Sequence, residues 1–414
     1  MPPLAHLKQL QPPTRAVKVR SMTDQTQTLS PTDTSAAGPR PLAGIMDIAP
    51  YKGGAAQADG HSRVLRLASN ESPYGPSRAA AEAFRAQEGS LERYPDGGAA
   101  ILQHAIADAE GLNAENIVCS NGSDELIALL TRAYAGPGDE VLYSAHGFLM
   151  YKLSTLASGA TPIAVEEQDY TASIDALLNA VTPQTRIVYL ANPNNPTGTV
   201  LSSQEVRRLH AGLRPEILLV LDSAYAEYVT RSDYEDGARM VEQFSNVVML
   251  RTFSKIHGLA SVRVGWAYAP PSVTAVLHRV RPPFNCTAPG QAAAAKAIGD
   301  KRHIGQVRTK TLATLARFRE EVIAMGLDAP PSTGNFLLVL FPEREGQTAD
   351  VALAFLNSQG ILVRPMGAYA LPHALRITIG TDSEMDEVAA ALSEFCETTG
   401  IIGSEESARE AASV

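Results

Sequence analysis

The chain has 414 residues, 45% hydrophobic and 19% charged, long enough for one or two buried cores and too ordinary in composition for a disordered polymer. Its 44 acidic against 35 basic side chains give a formal net charge of -9, and without a Lys/Arg stripe to neutralise a phosphate backbone, nucleic acid is not an expected partner. The cysteines Cys119, Cys286 and Cys396 are too widely spaced for a zinc site or a redox motif, and no apolar run reaches the roughly 20 residues that span a bilayer. Neither metal nor membrane is expected, and a reducing cytoplasm fits best.

The first forty residues are rich in Pro, Thr, Ser and Gln and carry Lys8, Arg15, Lys18 and Arg20, with no acid before Asp24. Lacking the apolar stretch of a secretory signal, segment 1–43 reads as a disordered extension, or as the result of a start placed ahead of Met22 or Met46. An N-terminal arm at 44–75 follows. From about residue 97, helical and strand patterns alternate with short connections, as in a mostly parallel sheet with covering helices. Apolar runs at 117–120, 141–144, 162–165, 186–191, 217–222, 247–250 and 264–268 predict the strands; because they are continuous rather than alternating, both faces of that sheet are covered. After Pro270 the pattern changes to long helical stretches, notably 302–325, with separate strands at 336–341, 361–364 and 375–379. The expected fold is therefore α/β: a large domain at 76–270 around a seven-stranded sheet with helices on both faces, a smaller α+β domain at 271–400, and a flexible tail at 401–414.

Ligands of an open parallel sheet lie beyond the carboxyl ends of its strands, and four loops at such ends carry chemistry. NGSDELI (121–127) opens a helix whose apolar face continues through Leu126, Leu129 and Leu130; its backbone amides can hold a phosphate, or Ser123 or Asp124 can simply cap the helix. NPNNPTG (192–198) is a turn stiffened by two prolines, able to hold the Asn195 amide toward a ligand. LDSAY (221–225) ends the most apolar strand with Asp222. Burying that charge unpaired is costly, so it needs a salt-bridge partner or a protonated heterocyclic nitrogen. The fourth loop, within 251–266, gathers Thr252, Ser254, Lys255 and Arg263: hydroxyls and a guanidinium suit a phosphate, and a lysine among them is a candidate nucleophile toward an aldehyde.

These loops, together with LASNESPYGPS (67–77), RYPDGG (93–98), HGFLMY (146–151), ILVRPMG (361–367) and LRITIGT (375–381), resemble the fold-type I aminotransferases that use pyridoxal 5'-phosphate (PLP), and more narrowly their histidinol-phosphate branch. The resemblance covers roughly residues 44–398. It implies that Lys255 carries PLP as a Schiff base, that Asp222 pairs with the ring nitrogen, and that Asn195 and Tyr225 bond the phenolic oxygen. It also implies that Phe148 stacks on the ring and that Ser123, Asp124, Thr252, Ser254 and Arg263 form a phosphate cup, to which Tyr94 is lent by the second subunit of a homodimer. The Asp124 carboxylate would repel phosphate, so its backbone amide is expected to matter more.

By the same resemblance, Arg376 is the fork for a substrate carboxylate or phosphate, with Arg364 as its partner and Tyr74 lining the specificity pocket. The expected reaction exchanges an amino group between a small-molecule donor, histidinol phosphate, and a 2-oxo acid, 2-oxoglutarate. The same motifs occur in aromatic amino acid aminotransferases and threonine-phosphate decarboxylases. A non-enzymatic effector-sensing module would need a helix-turn-helix that the first forty residues do not supply, and a nicotinamide dehydrogenase would need a G-x-G-x-x-G that is missing. Ser223 departs from the Glu or Gly of many relatives, at a position with no required chemistry.

Overall fold

A computed structural model describes residues 41–50 and 63–402; the expected extension and tail lie outside them except for 41–43 and 401–402, as does 51–62 of the arm. Strand β1 (Leu65–Arg66) precedes β2 (Ile117–Ser120), β3 (Glu140–Ser144) and β4 (Thr161–Val165). A short hairpin, β5 (Glu167–Gln168) and β6 (Thr171–Ala172), leads to β7 (Thr185–Ala191), β8 (Leu218–Asp222), β9 (Val247–Thr252) and β10 (Gly265–Tyr268). The last four are β11 (Phe336–Leu340), β12 (Ile361–Leu362), β13 (Arg364–Pro365) and β14 (Ala374–Thr378).

Seven of these form one sheet in the order β2-β10-β9-β8-β7-β3-β4. Its neighbours from β4 to β9 run parallel and β10 runs antiparallel to both β9 and β2. Every residue of β8 is buried, and successive side chains serve opposite faces: Leu219 and Leu221 join one apolar cluster, Leu218 and Val220 the other. That two-sided burial is why the strand sequences are unbroken apolar runs.

A second core gathers β11 and β14 with the helices Lys301–Ala324, Ala349–Ser358 and Asp382–Thr399, through Phe318, Leu337, Ile377, Leu356 and Leu392. Leu65 and Leu67 of the arm belong to it, because β1 pairs in parallel with β12. The last helix opens with a reciprocal capping box between Thr381 and Glu384. The helices Pro271–Val280 and Ala288–Gly299, expected in the smaller domain, instead pack on the large sheet: Val273 and Leu277 lie against one face, Ala293 and Ile298 against the other. The composition shift after Pro270 marks the end of the sheet, and the apolar packing changes hands along the helix Lys301–Ala324: Ile304 and Val307 cluster with Tyr225, Tyr228, Ile256 and Phe336, while Leu315, Phe318 and Val322 belong to the second core. No described helix is long and apolar enough to cross a membrane.

Candidate active site

The carboxyl ends of β7, β8 and β9 and the β13–β14 pair open on a common cleft of about 290 Å³. Its lining includes Ser123, Asp124, Phe148, Asn195, Asp222, Tyr225, Thr252, Ser254, Lys255, Arg263, Arg364 and Arg376, so residues spread over more than 250 positions of sequence converge there.

One end is basic and hydroxylic. Arg263 donates to Ser254 Oγ at 3.3 Å and to the Ala260 carbonyl at 3.1 Å, and meets the Asp124 carboxylate at 3.3 Å. Its backbone is left-handed, with φ 56°. Gly122, at φ 86°, ends the approach to the helix Ser123–Tyr134, and a Cβ there would stand 2.4 Å from the Arg263 guanidinium. Glycine thus lets the arginine lie against the first turn of that helix, where unpaired N–H groups gather. The Asp124 charge that would oppose an anion is spent on Arg263.

In the middle, Asp222 is 5% exposed. Tyr151 donates to its Oδ2 at 2.8 Å, and the Ala224 amide reaches Oδ1 at 3.3 Å; among the described residues it has no ion-pair partner. Burial, only partly offset by the Tyr151 bond, pushes its carboxyl up to about 6. Lys255 projects its Nζ toward the Ser69 carbonyl, 3.4 Å away, and over the Tyr225 ring, 5.7 Å from its centroid. Burial and the neighbouring Arg376 charge lower its ammonium to about 8, which puts the nucleophilic free amine within reach of neutral pH. The Tyr225 hydroxyl accepts from Asn70 Nδ2 at 2.8 Å, and burial raises it to about 12.

At the far end Arg376 donates to Asn195 Oδ1 at 2.5 Å and to the Ala68 carbonyl at 2.9 Å. Arg364 is its direct cross-strand neighbour, so two guanidiniums share one wall.

The profile of the family described as "Aminotransferase class I and II" matches residues 62–392. The chain belongs to this family. Within it, the chain is 53% identical over 359 residues to the histidinol-phosphate aminotransferase of Rhodospirillum centenum, covering 87% of this chain and 99% of the relative. It is also 53% identical to that of Paramagnetospirillum magneticum, covering 86% and 98%. Among solved structures, the histidinol-phosphate aminotransferase of Sinorhizobium meliloti in complex with pyridoxal-5'-phosphate superposes with a TM-score of 0.77 at 29% identity, covering 81% of this chain and 92% of that one. The aspartate aminotransferase of Rhizobium meliloti shares the fold, with a TM-score of 0.73 at 19% identity and coverage of 87% and 99%.

Tyr74, which the aminotransferase resemblance places at the site, is not in this cleft, and neither is Tyr94, which the resemblance gives to the site of a second subunit. Tyr94 is 81% exposed and stacks on Phe284, ring centroids 4.7 Å apart, in a neighbouring groove that shares Arg263 with the cleft. Tyr74 packs in a cluster with Tyr225, Tyr228 and Phe336, under the Lys310 ammonium; the rigid turn that carries it aims it at the helix Lys301–Ala324 and not into the cavity. Conversely, Tyr369 and Asn70, given no role from sequence, line the cleft, and Tyr151, likewise given none, lies buried behind it against Asp222. Tyr369 lines the cleft, its carbonyl held by His146 Nδ1 at 2.8 Å. Asn70 is held by Thr378 and Asn335 in a left-handed conformation, φ 54°, that Asn tolerates better than most residues. Tyr151 reads in sequence as one more apolar helix residue. The quoted segments 67–77 and 146–151 contained Asn70 and Tyr151, but only their pairing with Tyr225 and Asp222 gives them a role.

Proposed function

We propose that this chain is a PLP-dependent transaminase that moves the amino group of L-histidinol phosphate to 2-oxoglutarate, for histidine biosynthesis in the cytoplasm. The observation that carries the cofactor is Asp222: a buried carboxylate with a raised pKa, an oxygen with room for a further donor and no ion-pair partner among the described residues fits a protonated ring nitrogen. The Arg263, Ser254 and Gly122 cradle fits a phosphate. Bound there, PLP supplies an aldehyde for an amine and a protonated ring that takes up the electrons released at the substrate Cα.

The protein's own part is positional. Lys255 Nζ would hold the cofactor and, once displaced by the amine of the substrate, would be free to take the proton from the substrate Cα, a positioned transfer that contributes typically about 10²–10⁴-fold. Asn195 and Tyr225 orient the cofactor's phenolic oxygen, Phe148 covers one ring face, and Ser123, Thr252 and the Asp124 amide complete the cup. Arg376, steadied by Asn195, and Arg364 receive the phosphate of one substrate and the carboxylates of the other in turn. Tyr94 serves the site of a second copy in a homodimer, which accounts for its exposure and for its place beside Arg263. Tyr74 acts from behind, as packing for Tyr225.

The paired arginines favour a donor that presents them a doubly charged phosphate over one that presents a single carboxylate, and so histidinol phosphate over phenylalanine. An absorbance titration of the half-reaction with histidinol phosphate, glutamate and phenylalanine tests this; conversion by phenylalanine alone, or release of carbon dioxide from threonine phosphate, would overturn it. Arg376→Ala is expected to weaken the apparent affinity for both histidinol phosphate and 2-oxoglutarate by 10-fold or more, whereas unchanged affinity for both would refute the shared use of that arginine.

A further inference from the structure

Tyr151 is wholly buried, yet its hydroxyl is the one side-chain donor that reaches Asp222 among the described residues, at 2.8 Å. Its ring is clamped: it stacks on Tyr189 with centroids 4.6 Å apart and planes 5° from parallel, and meets Phe148 edge-on at 5.9 Å and 88°. Tyr189 is itself fixed, its hydroxyl donating to the Ile127 carbonyl at 3.0 Å and lying 2.8 Å from Thr131 Oγ1. The Tyr151 backbone amide bonds to the Phe148 carbonyl at 3.0 Å, so both residues belong to the first turn of the helix Leu149–Ser158. One immobile phenol therefore touches the side chains proposed for the ring nitrogen and for the ring face.

The geometry points to Tyr151 as a positioning residue that holds Asp222 ionised and presents its Oδ1 to the ring nitrogen of the cofactor. This rests on the PLP reading above and deepens it. The phenol occupies Oδ2 and fixes the rotation of the carboxylate, leaving Oδ1 with only the long Ala224 contact. A hydrogen bond to the charged form also favours that form against the burial that opposes it. The other charges that act on Asp222 are Asp124, which works against ionisation, and Lys255, which favours it. Neither is among its hydrogen-bond partners, so the phenol is the contact that can tune the acid without taking part in the reaction.

The test compares two cofactors on the cofactor-free protein: PLP, and its deaza analogue in which the ring nitrogen is replaced by C–H. Fluorescence titration gives the dissociation constant of each. Wild type is expected to prefer PLP by about tenfold or more, and Tyr151→Phe to lose most of that preference while binding the deaza analogue nearly as well as wild type. A role confined to packing would weaken both ligands alike and leave the ratio unchanged, which would overturn the inference. Incorporation of 3-fluorotyrosine at position 151, a stronger donor of similar shape, is expected to raise the ratio, and a fall would count against it even if the Phe variant folded poorly. A wild type that binds neither compound would instead remove the PLP reading itself.

Discussion

Asp222 is kept ionised at a cost. Its carboxyl titrates at about 6 in the folded chain against about 3.9 in an unfolded one, so the folded state holds the proton more tightly. The associated stability is fully present below about pH 4 and is lost as pH rises through 6. At pH 7.5 the buried charge therefore costs the cofactor-free protein roughly 3 kcal/mol. Asp222→Asn, which can still accept from Tyr151, is expected to raise the melting temperature of the cofactor-free protein at pH 7.5 by a few degrees, with the gap closing toward pH 4, while weakening PLP binding; a lower melting temperature at pH 7.5 would contradict this. Lys255 is perturbed in the opposite sense, since burial and then Arg376 lower its ammonium to about 8. Removing that positive charge lets the ammonium persist to higher pH. Arg376→Ala should therefore shift the midpoint of PLP capture upward when the rate is followed by stopped-flow absorbance across pH 6–10, and an unmoved midpoint would exclude the coupling.

The loops after β8 and β9 hold Tyr225 and Lys255, and what joins them lies outside the cleft. Arg251, near the end of β9 and 4% exposed, donates to Glu227 at 2.8 Å and Asp236 at 2.7 Å. Burial alone would raise the Glu227 carboxyl, but Arg251 and His257 outweigh it and hold it at about 2. Arg251→Ala leaves Asp236 without its cation and Glu227 with His257 alone, and is expected to cost about 3–5 kcal/mol of unfolding free energy, measured by urea titration; a loss below about 1 kcal/mol would mean that the loops are held otherwise. Sequence made Arg251 only the first letter of a motif, because a buried network joins residues far apart in the chain. The same contrast runs through the elements. Unbroken apolar runs marked β7, β8 and β9 to within two residues of their observed ends, whereas β1, which leads the chain to Asn70, is two residues long and has no periodicity to read.

At the scale of the molecule, the large sheet and the strand-end loops were legible because burial on both faces and turn chemistry are local signals, but the allotment of helices to cores was not. Nothing local in Pro271–Val280 and Ala288–Gly299 names the core they join, and only packing assigns them to the large sheet. A second whole-molecule property is written on the surface: Leu91, Tyr94 and Phe284 are 72%, 81% and 45% exposed in a groove that adjoins Arg263, an apolar patch suited to burial against a second copy. Leu91→Asp is expected to shift the sedimentation velocity peak from dimer to monomer and to lower PLP affinity, and a wild-type monomer would refute the pairing. The proposed chemistry needs one amine in the cleft, that of Lys255. Borohydride reduction of the protein loaded with PLP, followed by peptide mapping by mass spectrometry, should place the pyridoxyl mass on Lys255 alone; an adduct on a different lysine, or none, would contradict it.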